Sequence, residues 1–148
     1  ERVYFRVATN PGQPAAPLSD IASGGELSRF MLALCVALSA TMGTSSLVFD
    51  EIDSGVGGAV ADAVGKRLAR VAEASQVLVV THQPQVAARA ACHFRVAKTT
   101  RKGSTATGVA ALGSAERREE IARMLAGAEV TESARAAADS LIAGGGGA

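Results

Sequence analysis

Apolar residues are distributed along the chain in a few distinct ways. After Glu26 the only charge up to Ala40 is Arg29, and the stretch carries Phe30, Met31, Leu32, Leu34, Val36 and Leu38. It is too apolar for a one-sided surface helix and predicts a buried one. Two short apolar runs, Ser46 to Asp50 and Gln76 to Thr81, predict fully buried parallel strands. Between them Gly57-Gly58 opens a helical stretch to about Glu73, which makes strand, helix and strand a βαβ unit. Upstream, residues 3–8 predict a strand, broken by Asn10-Pro11-Gly12, Pro14 and Pro17 into a turn-rich connector that runs to Asp20. Downstream, a short helix from about Pro84 to Ala90 precedes two runs, 93–99 and 105–112, that flank the basic Lys98–Ser104 and predict an antiparallel hairpin. Helices near 115–126 and 131–142 follow, and Gly144 to Gly147 predicts a flexible tail. The expected fold is α/β: a mainly parallel sheet flanked by helices, with an antiparallel hairpin, in one domain over 1–142 and a tail over 143–148.

Composition narrows this picture. With 148 residues, 48% hydrophobic and 20% charged, the chain is long and apolar enough to hold a core. Aromatics make up only 3% and Trp is absent, so Ala and Val must fill the interior. Fifteen Lys and Arg against fourteen Asp and Glu leave a net charge of +1, so contact with nucleic acid or membrane must be local. Cys35 and Cys92 fall on segments that read as buried helix and strand, with neither a disulfide framework nor zinc-ligand spacing, which fits a reducing, cytoplasmic compartment. The run from Phe30 to Leu38 is too short to span a bilayer, and Glu1-Arg2 does not resemble a signal peptide, so a soluble protein is expected. A start directly in Val3-Tyr4-Phe5-Arg6-Val7, without Met, is expected of a piece of something longer.

Three groups of residues suggest chemistry. In Ser23-Gly24-Gly25-Glu26-Leu27-Ser28 glycines allow close backbone approach and free helix N–H groups favour an anion, although Ser23 and Glu26 equally form an ordinary capping box. Asp50-Glu51 ends an apolar strand, where one carboxylate can serve Mg²⁺ through its water shell while the other orients or deprotonates a water; adjacent acids there are also common as solvated residues. His82 follows the next strand, and in a parallel sheet it reaches the same carboxyl edge as the acids. Anion socket, acid pair and His, in this order on a βαβ scaffold, together point to phosphoryl transfer from a nucleotide. At the hairpin tip Lys98, Arg101 and Lys102 suit DNA phosphates, or simply protect an edge from aggregation. Arg117, Arg118 and Arg123 alternate with Glu116, Glu119 and Glu120 as on an ion-paired helix surface, and Cys92-His93 has no visible partner set.

These residues resemble a family. Ala22-Ser23-Gly24-Gly25-Glu26 is similar to the signature motif of ABC-type ATPases, Leu47-Val48-Phe49-Asp50-Glu51 to their Walker B strand, and Thr81-His82 to their switch histidine. The string Phe49-Asp50-Glu51-Ile52-Asp53 and the glutamate after the glycine pair resemble the SMC-like chromosome and repair branch. Within it, Ser23 to Arg29, Ile52 to Gly58, Thr81 to Ala87 and Glu120 to Leu125 resemble the RecN family of bacterial DNA repair proteins, over about Val3 to Leu141.

The resemblance implies that Ser23, Gly24, Gly25 and Glu26 lie at the γ-phosphate of an ATP held by an opposing head. It implies that Asp50 serves Mg²⁺, that Glu51 and His82 are catalytic, and that Asp53, Ser54 and Gly55 belong to a loop crossing the dimer interface. Gly55-Val56-Gly57-Gly58 lacks the Leu-Asp pair usual in SMC proteins, and Gln83 stands where that family has an apolar residue. No Gly-x-x-x-x-Gly-Lys-Ser/Thr string and no heptad stretch occur. The chain therefore resembles the C-terminal half of an ATPase head, inactive alone. The partners implied are an N-terminal Walker A half, a second head and DNA, with no membrane, in the bacterial cytoplasm at the nucleoid. Alternative readings are another head of the SMC-like superfamily, a non-catalytic DNA-binding or dimerisation module, and a transporter ATPase half.

Overall fold

A computed structural model describes residues 4–8, 11–12, 14–20, 24–38, 46–101 and 104–145. The βαβ unit is its centre. Strands β3 (Ser46–Phe49) and β4 (Gln76–Val79) pair in parallel, Ser46 with Gln76 through Phe49 with Val79, and helix α2 (Gly58–Ala72) makes the crossover. On α2, Ala61, Val64, Gly65, Leu68 and Val71 are buried, a stripe at spacings of three and four that lies on the sheet and on the next helix. Helix α1 (Gly24–Leu38) adds Leu32 and Cys35 to the same core, which closes around Phe49, Ile52 and Val86.

Before α1, the two-residue strands β1 (Arg6–Val7) and β2 (Ala16–Pro17) pair antiparallel, and a 3-10 turn covers Leu18–Asp20. The expected strand over 3–8 shrinks to β1, and its partner lies inside the expected connector. Pro17 offers no N–H, a residue that suits an edge pair of this kind.

Helix α3 (Pro84–Ala87) follows β4 directly, with Pro84 at its first position. The hairpin of β5 (Phe94–Arg101) and β6 (Ser104–Ala111) pairs antiparallel throughout, from Phe94 with Ala111 to Arg101 with Ser104, as expected. Helices α4 (Ser114–Ala126) and α5 (Glu132–Gly145) form a second small core of Ala88, Ile121, Ala122, Ala134 and Ala138. Arg118 donates to both oxygens of Asp139 at 2.7 and 2.9 Å, and Arg135 donates to Glu119 at 2.7 Å, so the expected ion-paired surface joins two helices. Glu120 departs from it: only 8% exposed, it is held below the usual carboxylate range by a hydrogen bond from Arg123, which outweighs its burial.

Three further expectations change. Within this chain α1 and the parallel strands are buried on one side only: Leu27, Met31 and Leu38 are exposed on α1, and Val48, Leu78 and Val80 along one face of the pair. Inward-facing Phe49 is 5% exposed, against 70% for outward-facing Val48. Cys92 is exposed in a bend between α3 and β5, not buried in a strand, because the hairpin starts only at Phe94. Gly144 and Gly145, expected in the tail, lie in the last turn of α5, where the Arg89 guanidinium donates to the Gly144 carbonyl while also holding Asp62 of α2 at 2.8 Å. Residues 146–148 lie outside the described residues.

Candidate functional site

The parallel ladder runs one bond past its strands, since the Val80 N–H donates to the Phe49 carbonyl at 2.9 Å. Asp50-Glu51 and Thr81-His82 therefore leave adjacent strands together at the carboxyl edge, where open α/β sheets place ligands. Asp50, Glu51 and His82 are all exposed there. The chain turns at once: the Ser54 N–H donates to the Glu51 carbonyl at 3.0 Å, and Glu51 has φ 56°, the one non-glycine residue with positive φ among the described residues. A backbone of that kind costs on the order of 1–3 kcal/mol and persists only where its surroundings hold it.

The start of α1 supplies that hold. The Ser28 hydroxyl donates to the Asp50 carbonyl at 3.0 Å, and Arg29 Nη1 donates to the carbonyls of Ile52 and Ser54 at 3.3 and 3.1 Å. The Glu51 N–H adds a bond to Asp50 Oδ1 at 2.9 Å. The glycine pair fits against the same turn. A Cβ on Gly24 would stand 3.1 Å from Glu51 Oε2, and one on Gly25 would stand 3.0 Å from the Glu51 carbonyl oxygen and 3.3 Å from Ser54 Cβ. Both glycines thus have a packing role inside this chain. Gly25→Ala should lower stability by about 1–3 kcal/mol through overpacking, read as a fall in the urea midpoint at unchanged slope; an unchanged midpoint would show that the turn yields freely.

The loop after β4 is tied to the same turn. Asp53 is 1% exposed, and its carboxylate accepts from the Thr81 hydroxyl and, at 3.2 Å, from the Gln83 N–H. Its Oδ2 stands 3.9 Å from His82 Nδ1. Gln83 also donates through Nε2 to the Val56 carbonyl at 3.4 Å. Past α3, the Arg117 guanidinium donates to the carbonyls of Ala88 and Ala90 at 3.0 and 2.6 Å, covering carbonyls that the short helix leaves open.

The structure thus brings Gly24, Gly25, Asp50, Glu51, Asp53, Ser54 and His82 to one edge. Ser54 and Gly55 are exposed, whereas Asp53 is turned inward. Glu26 lies in the first turn of α1, where a negative charge suits the helix dipole. Lys98 is exposed on β5, away from this edge, and Arg101 closes the hairpin opposite Ser104. Ser23 and Lys102 lie outside the described residues. The holding roles of Ser28, Arg29, Thr81 and Gln83 were missed from sequence, since their contacts span up to 30 positions. The signal available was their place inside the motif strings.

Among the described residues no group of three or more His, Cys, Asp and Glu could hold a metal by itself. The exposed Asp50 carboxylate at a strand end fits Mg²⁺, which takes one or two carboxylates together with waters and substrate phosphates. Among the described residues no helix is long and apolar enough to cross a membrane.

No family model matches the chain. Curated relatives do. It is 52% identical over 142 residues to the DNA repair protein RecN of Xylella fastidiosa strain 9a5c, covering 96% of this chain and 26% of that protein. It is 52% identical over 142 residues to RecN of Deinococcus radiodurans, covering 96% and 25%, and 50% identical over 140 residues to RecN of Rickettsia conorii, covering 95% and 26%. Along nearly its whole length the chain is similar to RecN proteins. It spans about a quarter of the length of the curated RecN proteins it matches. A solved structure from work on the ATP-driven dimerisation and DNA-stimulated activation of SMC ATPases superposes with a TM-score of 0.52 at 19% identity, over 82% of this chain and 80% of that one. This segment has the mixed helix and strand fold of an SMC-type head fragment.

Proposed function

We propose that this RecN-like segment, over 1–142, is the C-terminal lobe of an ATPase head that hydrolyses ATP in DNA double-strand break repair and recombination. The carrying observation is that Asp50-Glu51 and His82 leave two paired parallel strands at one edge, in a segment about half identical to RecN proteins. Glu51, exposed at the turn, orients the attacking water and accepts its proton. His82 contacts the γ-phosphate, and its imidazole is 73% exposed and free to do so. Asp50 holds Mg²⁺, which when bound offsets charge on the phosphates. The loop and lysine that cradle those phosphates come from an N-terminal Walker A half, because this sequence contains no such string.

The start of α1, Ser23 to Glu26, meets the γ-phosphate of ATP on a second head, and the exposed Ser54 and Gly55 face that head. Engagement of the two heads controls how the assembled protein holds DNA, with Lys98, Arg101 and Lys102 available to backbone phosphates. A cytoplasmic, nucleoid-associated protein follows from this reading.

The test compares ATP hydrolysis by this chain, by the N-terminal half, and by the two joined. Turnover should appear only in the joined protein. Equal turnover by this chain alone would overturn the composite site, and ATP binding without turnover in the joined protein would favour a non-catalytic clamp.

A further inference from the structure

Buried carboxylates are costly unless paired or fully hydrogen-bonded. Asp53 is 1% exposed, next to Ile52 at 0%, and among the described residues no Lys or Arg is paired with it. Its carboxylate contacts fall on one short segment: the Thr81 hydroxyl, the Gln83 N–H at 3.2 Å and His82 Nδ1 at 3.9 Å. The segment is braced besides, because the Gln83 N–H also meets Thr81 Oγ1 at 2.9 Å. The His82 ring itself is 73% exposed, so the residues on either side are held while the imidazole is presented outward.

From this geometry we infer that Asp53 is the positioning residue for His82: it holds the Thr81 hydroxyl before the histidine and the Gln83 N–H after it, and offers its Nδ1 a carboxylate. At 3.9 Å the Nδ1 contact is longer than a hydrogen bond and acts as a charge–dipole contact. A carboxylate there favours the proton on Nδ1 and leaves Nε2 for the phosphate side, as second groups behind functional imidazoles commonly do. Residue 53 then acts within its own chain, through a histidine 29 positions away just past the neighbouring strand. The inference rests on the proposed contact of His82 with the γ-phosphate.

The experiment uses a protein carrying both halves of the head. Asp53→Asn keeps the shape but removes the negative charge and replaces one of the two acceptor oxygens by an N–H donor. It should lower kcat about 10²-fold, the scale of a group displaced by about 1 Å, with KM for ATP within about threefold. Thr81→Ser, which keeps the hydroxyl, should retain most of the rate, and Thr81→Val should lose it. In a His82→Ala background Asp53→Asn should cost nothing more, since residues that act as a unit are non-additive.

Wild-type kcat in Asp53→Asn, or the same fold-loss in both backgrounds, overturns the inference. If Asp53→Asn fails to melt cooperatively, the Thr81→Ser and Thr81→Val pair, measured in both backgrounds, decides it in the same way. A His82→Ala protein with wild-type turnover overturns the histidine reading and this inference together, whereas additive losses overturn only the role of Asp53.

Discussion

In a protein carrying both halves of the head, Glu51→Gln should lower ATP turnover by about 10²–10⁴-fold, the range a positioned general base contributes. ATP binding should survive, and the ATP-bound dimer should accumulate. Gln keeps the length of Glu, and the turn at residue 51 is held by backbone carbonyls that accept from Ser28 and Arg29 rather than by the Glu51 side chain. The strained φ of 56° and the packing against Gly24 and Gly25 should therefore persist, and only the proton-accepting oxygen is lost. Asp50 keeps its bond from the residue-51 N–H, so the carboxylate proposed to serve Mg²⁺ should stay in place. The readouts are steady-state phosphate release and the oligomeric state with ATP by light scattering. Turnover close to wild type would remove Glu51 from the chemistry. Lost turnover together with lost ATP binding would instead make Glu51 part of the binding site.

Much of the architecture is legible in the sequence because it is local. The stripe on α2 has helical period, the two apolar runs have strand length, and Gly57-Gly58 marks the crossover start. The placement of Glu51 and His82 at one edge follows from parallel pairing alone. What the sequence leaves hidden is of two kinds. The contacts of Ser28, Arg29 and Asp53 join positions 22 to 30 residues apart, which no periodicity reports. Asp53 is the clearest case: the resemblance places it in a loop crossing a dimer interface, yet it is among the most buried side chains described.

The second kind is apolarity without cover. The runs around Val48, Leu78 and α1 predict burial on all sides, and the structure covers one side. A contiguous exposed apolar face of this kind marks an interaction surface, and the N-terminal half proposed above is the partner that would cover it.

Val48→Asp and Leu78→Asp should abolish association of this chain with an N-terminal half, and with it the ATPase activity, while barely touching the stability of the chain alone. Val48 and Leu78 are register partners on β3 and β4, 70% and 51% exposed, and Val80 at 62% extends the same face. In the isolated chain an Asp there stays in water, and exposed substitutions usually change stability within about 0.5 kcal/mol, with up to about 1 kcal/mol more for poor strand propensity. Against an apolar partner face the same carboxylate must lose its water without a cation to meet it, at a cost of several kcal/mol. Since about 1.4 kcal/mol is tenfold in affinity, association should weaken by about 10³-fold or more. Melting curves of the chain and titration calorimetry against the N-terminal half separate the two effects. Undiminished affinity would show that this face stays open in the assembled head. A collapse of the chain's own melting temperature would show instead that the exposed face is part of its core.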